Sequence, residues 1–179
     1  MSVGINIITD HAITAENLNG LLSRLDSAKA AMHRWEETVC HDGIHAQLNW
    51  RWAWSEDFTD PVSYWNKGNT LTAFLKDGAS IRFSKFAAVI SVPAIWSFVM
   101  QNESYIHATR ELGTEILRVI GGSSMLVVPS SSAYCAEGAV SNLDSQLTFD
   151  AILKAYKECM ARNKSSTTED FLLWGQRIK

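Results

Sequence analysis

The chain has 179 residues, 46% of them hydrophobic and 20% charged, a composition that excludes intrinsic disorder and fits one folded core. A formal charge of −3 and a pI near 5.9 provide no overall positive field for gathering phosphates, so no direct nucleic-acid contact is expected. No apolar run approaches the roughly 18 residues that a bilayer crossing takes, and residues 1–10 carry neither a basic leader nor a cleavage site, so a cytoplasmic protein without membrane contact is expected.

Residues 3–9 read V-G-I-N-I-I-T, and the alternation of Val3, Ile5 and Ile7 predicts a strand. Thr14 is placed to cap a helix. Leu18, Leu21, Leu22, Leu25, Ala28, Met32 and Trp35 then recur at steps of three and four, which predicts one helix of roughly 22 residues. Gly20 falls inside that helix, where a close helix contact accounts for it. In residues 44–54, Ile44, Ala46, Leu48, Trp50, Trp52 and Trp54 alternate with His45, Gln47, Asn49, Arg51 and Ala53, predicting a long strand whose tryptophans face the core. Residues 56–68 show no period and read as a loop of about a dozen residues, a length that is often functional in a compact domain.

Residues 70–76 and 79–83 flank Asp77-Gly78, a dipeptide suited to a type I′ turn, so they predict a hairpin. Residues 86–92 continue its second arm or form a following strand. Pro93 suits the first turn of a helix carrying Ile95, Trp96, Val99, Ile106, Leu112, Ile116, Leu117 and Ile120, which Gly121-Gly122 stops. Residues 125–128 predict a buried strand, and residues 129–142 a serine-rich loop. Thr148 caps a helix through Met160, and Ser166 with Glu169 forms a capping box for a short last helix holding Phe171, Leu172, Leu173 and Trp174. This order predicts a single domain over residues 1–179 of the α+β class: a mainly antiparallel sheet packed against several helices as a single layer pair, with helices on at least one face.

The chemistry-bearing residues form no strong constellation. Cys40, Cys135 and Cys159 are an odd set without a C-x-x-C pair, which fits reduced thiols. His33, Cys40, His41 and His45 are near in sequence but lack a ligand spacing, so no metal is expected. Gly121-Gly122-Ser123-Ser124 follows a helix instead of opening one and reads as a C-cap, and with no other phosphate-binding motif in the chain no cofactor is expected. Asp10 beside His11 is a possible acid and base pair, and Ser130, Ser131 and Ser132 follow a predicted strand, but no G-x-S-x-G surrounds them. A protein that is not an enzyme is the expected reading. A small hydrolase using Asp10, His11 and Ser130 and a structural subunit are the alternatives.

Seven tryptophans fall mostly on predicted interior faces, so core packing is favoured over a sugar platform at Trp50, Trp52 and Trp54. Glu56, Asp57, Phe58, Asp60, Tyr64 and Trp65 differ: they join carboxylates to large rings, a mixture suited to a partner-binding surface. The acidic strip at Glu36, Glu37 and Asp42 and the serine-rich loop are the next candidates. In size, acidity and this acid-and-aromatic segment, the chain resembles the immunity proteins of bacterial polymorphic toxin and contact-dependent inhibition systems. The resemblance implies neutralisation of a cognate toxin by stoichiometric binding, with a basic toxin domain as the partner.

Overall fold

The computed structural model describes residues 4–39, 51–55, 60–75, 79–94, 99, 101–129, 146–162 and 172–175. Its centre is strand β1 (Ile5–Thr9), buried at every position, as expected for a continuous Ile-rich run covered on both faces. The other strands are β2 (Trp52–Trp54), β3 (Leu71–Leu75), β4 (Ser80–Phe83), β5 (Ala88–Val92), β6 (Ser124–Pro129) and β7 (Leu172–Gly175). They form one sheet in the order β2-β3-β4-β5-β1-β6-β7, and each neighbouring pair is antiparallel. The α+β class and the antiparallel sheet are therefore as the sequence predicts.

Period-two alternation sorts the side chains. Ile7 pairs with Ile90 and Val127, while Ile8 pairs with Val89 and Leu126, and the two sets enter separate apolar clusters. The larger cluster is covered by α1 (Ala15–Leu18), α2 (Leu21–Leu25), α3 (Lys29–Val39), α4 (Pro61–Asn66) and α5 (Glu103–Ile120). The smaller one lies under α6 (Phe149–Arg162), which supplies Phe149, Ile152 and Tyr156. This second cluster adds a helical layer to the expected pair. Trp52 and Trp54 pack into the larger cluster, so the expected core role holds for both. Trp50 and the Asp77-Gly78 turn lie outside the described residues, but β3 and β4 pair antiparallel.

Four expected elements differ. The first helix is broken: Gly20 adopts φ 79 after an extended Asn19, a conformation nearly free of penalty only for glycine. The Arg24 guanidinium donates to the exposed carbonyls of Asn17 and Asn19. Residues 61–66, expected as loop, form α4, with Asp60 accepting from the Ser63 N–H at 3.0 Å and Pro61 in its first turn. The long helix is interrupted: Val99 and Gln101 are helical, but Asn102 is extended and its side chain accepts from the Ser104 N–H, so the main segment opens at Glu103; residues 95–98 lie outside the described residues. Leu172–Gly175, expected as helix, is strand β7, where pairing with β6 satisfies an otherwise open backbone edge.

Cys159 is disulfide-bonded, which corrects the reduced-thiol expectation for this residue; its partner lies outside the described residues. An odd cysteine count leaves room for one pair, and spacing alone does not reveal which.

Helices α3 and α5 pack together through a buried polar contact: Trp35 Nε1 donates to Thr109 Oγ1 at 3.0 Å, and that hydroxyl donates to the Tyr105 carbonyl at 2.8 Å. Replacing Thr109 by Val keeps the volume and strands the indole N–H. Thr109→Val is therefore expected to lower unfolding free energy by about 1–3 kcal/mol in urea titration, with Thr109→Ser losing less. A valine variant as stable as the parent would remove this contact from the account.

Candidate functional site

Strand β1 ends in Asp10 and His11, whose side chains hold two different neighbouring turns. Asp10 Oδ1 accepts the N–H groups of Ser123 at 2.7 Å and Ser124 at 2.8 Å, and Oδ2 accepts the Ser123 hydroxyl at 2.6 Å. The Ala12 N–H adds a bond to the Ile120 carbonyl at 2.9 Å. The carboxylate thus captures the chain where it leaves α5 for β6. Gly121 ends that helix at φ 71, and a Cβ on Gly122 would overlap the Asp10 carbonyl oxygen and Leu117 Cδ2. The C-cap reading of Gly121-Gly122 stands on this geometry.

His11 reaches the turn between β4 and β5. Its Nδ1 accepts the Ile13 N–H at 3.0 Å, which leaves Nε2 protonated to donate to the Ser84 carbonyl at 2.8 Å. The ring lies 6.0 Å from the Trp65 centroid and 6.0 Å from Phe83. Burial pushes the imidazole pKa below its ordinary value, outweighing the bonds to Ser84 and Ala87 and the nearby Asp10 charge, which act the other way. Both ring nitrogens of the neutral form are occupied, and the Asp10 carboxylate faces Ser123 and Ser124. The expected alternative of an acid and base pair here is therefore replaced by two structural clasps. Ser130, Ser131 and Ser132 lie outside the described residues.

The partner-binding residues expected from the sequence divide. Glu56, Asp57 and Phe58 lie outside the described residues. Asp60 caps α4. Trp65 is only 8% exposed and packs against His11, so it is a core residue where an exposed anchor was expected. Tyr64, in contrast, is 37% exposed. Of the fallback acidic strip, Glu36 is buried at 2% exposure and Asp42 lies outside the described residues. Of the histidine and cysteine set, only His33 is described, and among the described residues no group of metal-ligating side chains forms. No described helix is long and apolar enough to cross a membrane.

Sequence periodicity missed Phe86, which stands 43% exposed in the turn before β5. Ser84 builds that turn: its N–H donates to the Ala87 carbonyl at 2.9 Å, and its buried hydroxyl accepts the Ala87 N–H at 3.1 Å. Lys85 and Phe86 are thereby turned outward, the Lys85 ammonium 5.7 Å from the Phe86 centroid. Gln146 joins this turn to the end of α4, accepting the Lys85 N–H at 2.9 Å and donating to the Gly68 carbonyl at 3.0 Å. Tyr64, one helical turn before Gly68, and Phe86 thus flank one hydrogen-bonded junction. Ser84 was the available signal, since a serine hydroxyl can bond nearby backbone and so favours a turn.

Comparison with protein-family models, curated proteins and solved structures yields no match to this chain.

Two outcomes test the clasps. The neutral His11 ring contributes stability that is fully present above the unfolded value of about 6.5 and is lost as pH falls from there toward the lowered folded value. The drop in melting temperature between neutral and mildly acidic buffer should therefore be smaller in His11→Gln than in the parent; an equal drop would contradict the buried, neutral assignment. Trp65→Ala should lower unfolding free energy by about 3–5 kcal/mol in denaturant titration, the range for removing a buried large ring. A loss within about 0.5 kcal/mol, typical of surface positions, would place the ring outside.

Proposed function

We propose that this chain is a protein-binding domain that acts by stoichiometric capture, in the manner of an immunity protein that neutralises a toxin. The observation that supports it is the junction itself: Tyr64 and Phe86 stand exposed on two segments that Gln146 ties together. Rings carried on backbone that is held in place before binding have less freedom to lose on contact, and an aromatic side chain has few rotatable bonds to order. Phe74 is also exposed, at 47%, but lies on β3 beside Ala53 and Ser80 of the neighbouring strands, and a solitary exposed ring is ordinary for a protein surface. The partner in this reading is a basic domain, selected by Glu56, Asp57 and Asp60, which precede Tyr64 in the chain. Charges of this kind chiefly speed encounter and reject wrong partners, whereas the rings supply affinity. The disulfide at Cys159 favours an oxidising compartment over the cytoplasm expected from the sequence.

Capture of the partner with the intact chain, followed by affinity measurement on the purified pair, tests the proposal. Tyr64→Ala and Phe86→Ala should each weaken binding by about 2 kcal/mol or more while leaving thermal stability unchanged, and Phe74→Ala should leave affinity intact. The captured partner should also be toxic when expressed alone and harmless when co-expressed with the parent chain. Unchanged affinity in both folded variants would remove the junction as the interface, and a harmless partner would remove the immunity reading.

A further inference from the structure

On the side of α5 away from the sheet, Arg110, Glu111, Thr114, Glu115 and Arg118 recur at helical spacing with His107, and Arg34 of α3 faces them across a cleft of about 260 Å³. Three guanidinium groups and an imidazole thus line one depression on a chain whose net charge is −3. The two carboxylates in the cleft are each engaged within α5, Glu115 by Arg118 and Glu111 by His107 at 3.7 Å. Both are exposed pairs between neighbouring turns, an arrangement worth only a few tenths of a kcal/mol and readily exchanged for a stronger anion. Arg34 comes from a different helix and makes no ion pair with a described carboxylate. The backbone at Arg34 is held by the next residue, Trp35, which donates to Thr109 of α5, while the Arg34 side chain itself is exposed.

We propose that this cleft binds a small phosphate-bearing ligand, with Arg34 and Arg110 holding the anion from the two helices and Arg118 exchanging Glu115 for a second anionic group. Guanidinium forks match phosphate oxygens in pairs, which gives both strength and orientation. Arg110 and Arg118 are eight residues apart, about 12 Å along a helix axis. Side chains as long as those of arginine can converge from that separation, and three guanidinium groups then suit a diphosphate better than a lone phosphate. A nucleic-acid strand is a poorer occupant, because the cleft is short and the net negative charge of the chain opposes a polymer of phosphates. The site does not depend on the protein-binding proposal.

Titration of the full chain with sodium pyrophosphate and with inorganic phosphate, at constant ionic strength and followed by amide chemical shifts, tests it. The expected result is saturable one-site binding, tighter for pyrophosphate, with shifts centred on α3 and α5. Affinity should fall about tenfold in Arg34→Gln and in Arg110→Gln, a loss typical of one charge-assisted contact, and remain unchanged in Tyr64→Ala. A response that does not saturate or that chloride reproduces is screening only and would overturn the proposal. So would saturable binding that survives both arginine variants, or binding of a single-stranded oligonucleotide without binding of pyrophosphate.

Discussion

Strand β1 has hydrogen-bonding neighbours on both edges and an apolar cluster on both faces, so it has no solvent-facing side on which to tolerate a polar error. Its buried amide is satisfied across the sheet, Asn6 Oδ1 accepting the Ser91 hydroxyl at 2.7 Å from β5, whereas the buried Thr9 hydroxyl has no hydrogen-bond partner among the described residues. Where the strand ends, two adjacent polar side chains divide between two neighbours. Asp10 takes the turn from α5 into β6, and His11 takes the turn between β4 and β5. Each turn joins a strand that pairs directly with β1, so the same dipeptide that closes the strand also fixes the ends of its partners.

These clasps explain why the exposed rings have a defined place. The Ser84 carbonyl bonded by His11 belongs to the turn that presents Lys85 and Phe86, and Trp65, which rests on the His11 ring, neighbours Tyr64 in α4. A half-buried histidine therefore supports both halves of the proposed binding junction from beneath. Burial of Trp65 and exposure of Tyr64 follow from one helical turn: consecutive residues point about 100° apart, so when one ring enters the core the next faces outward.

Local patterns carried much of the fold. The Asp77-Gly78 turn and the short apolar runs beyond it located β3 to β6 within a few residues, and the helical steps of Leu18 to Trp35 named residues that do enter the core. The patterns gave no view of strand order, because β1 pairs with segments some 80 and 120 positions away, and burial on both faces erases alternation. Periodicity also overlooked local breakers. Gly20 was absorbed into a continuous apolar stripe although its preceding Asn19 and its left-handed φ end the first turn. Asp60-Pro61 is an N-cap followed by a proline at the first helical position, a readable helix start hidden by the aperiodic aromatics after it. Leu172 to Trp174 suited helix or strand equally, and only the edge of β6 decided between them. Of the site, Tyr64 was legible as a ring among acids. Phe86 was not, because its exposure depends on a serine-closed turn, and His11 was legible only as a titratable residue beside an acid.

The central claim is that His11 is a neutral, doubly hydrogen-bonded support, and the nitrogen chemical shifts of its imidazole test it most directly. A long-range proton and nitrogen correlation spectrum at neutral pH should show protonated Nε2 and unprotonated Nδ1, with no titration near 6.5. A ring protonated at Nδ1, or one that exchanges between tautomers and titrates at the ordinary histidine value, would contradict the bonds to Ile13 and Ser84 and with them the account of how the junction is held.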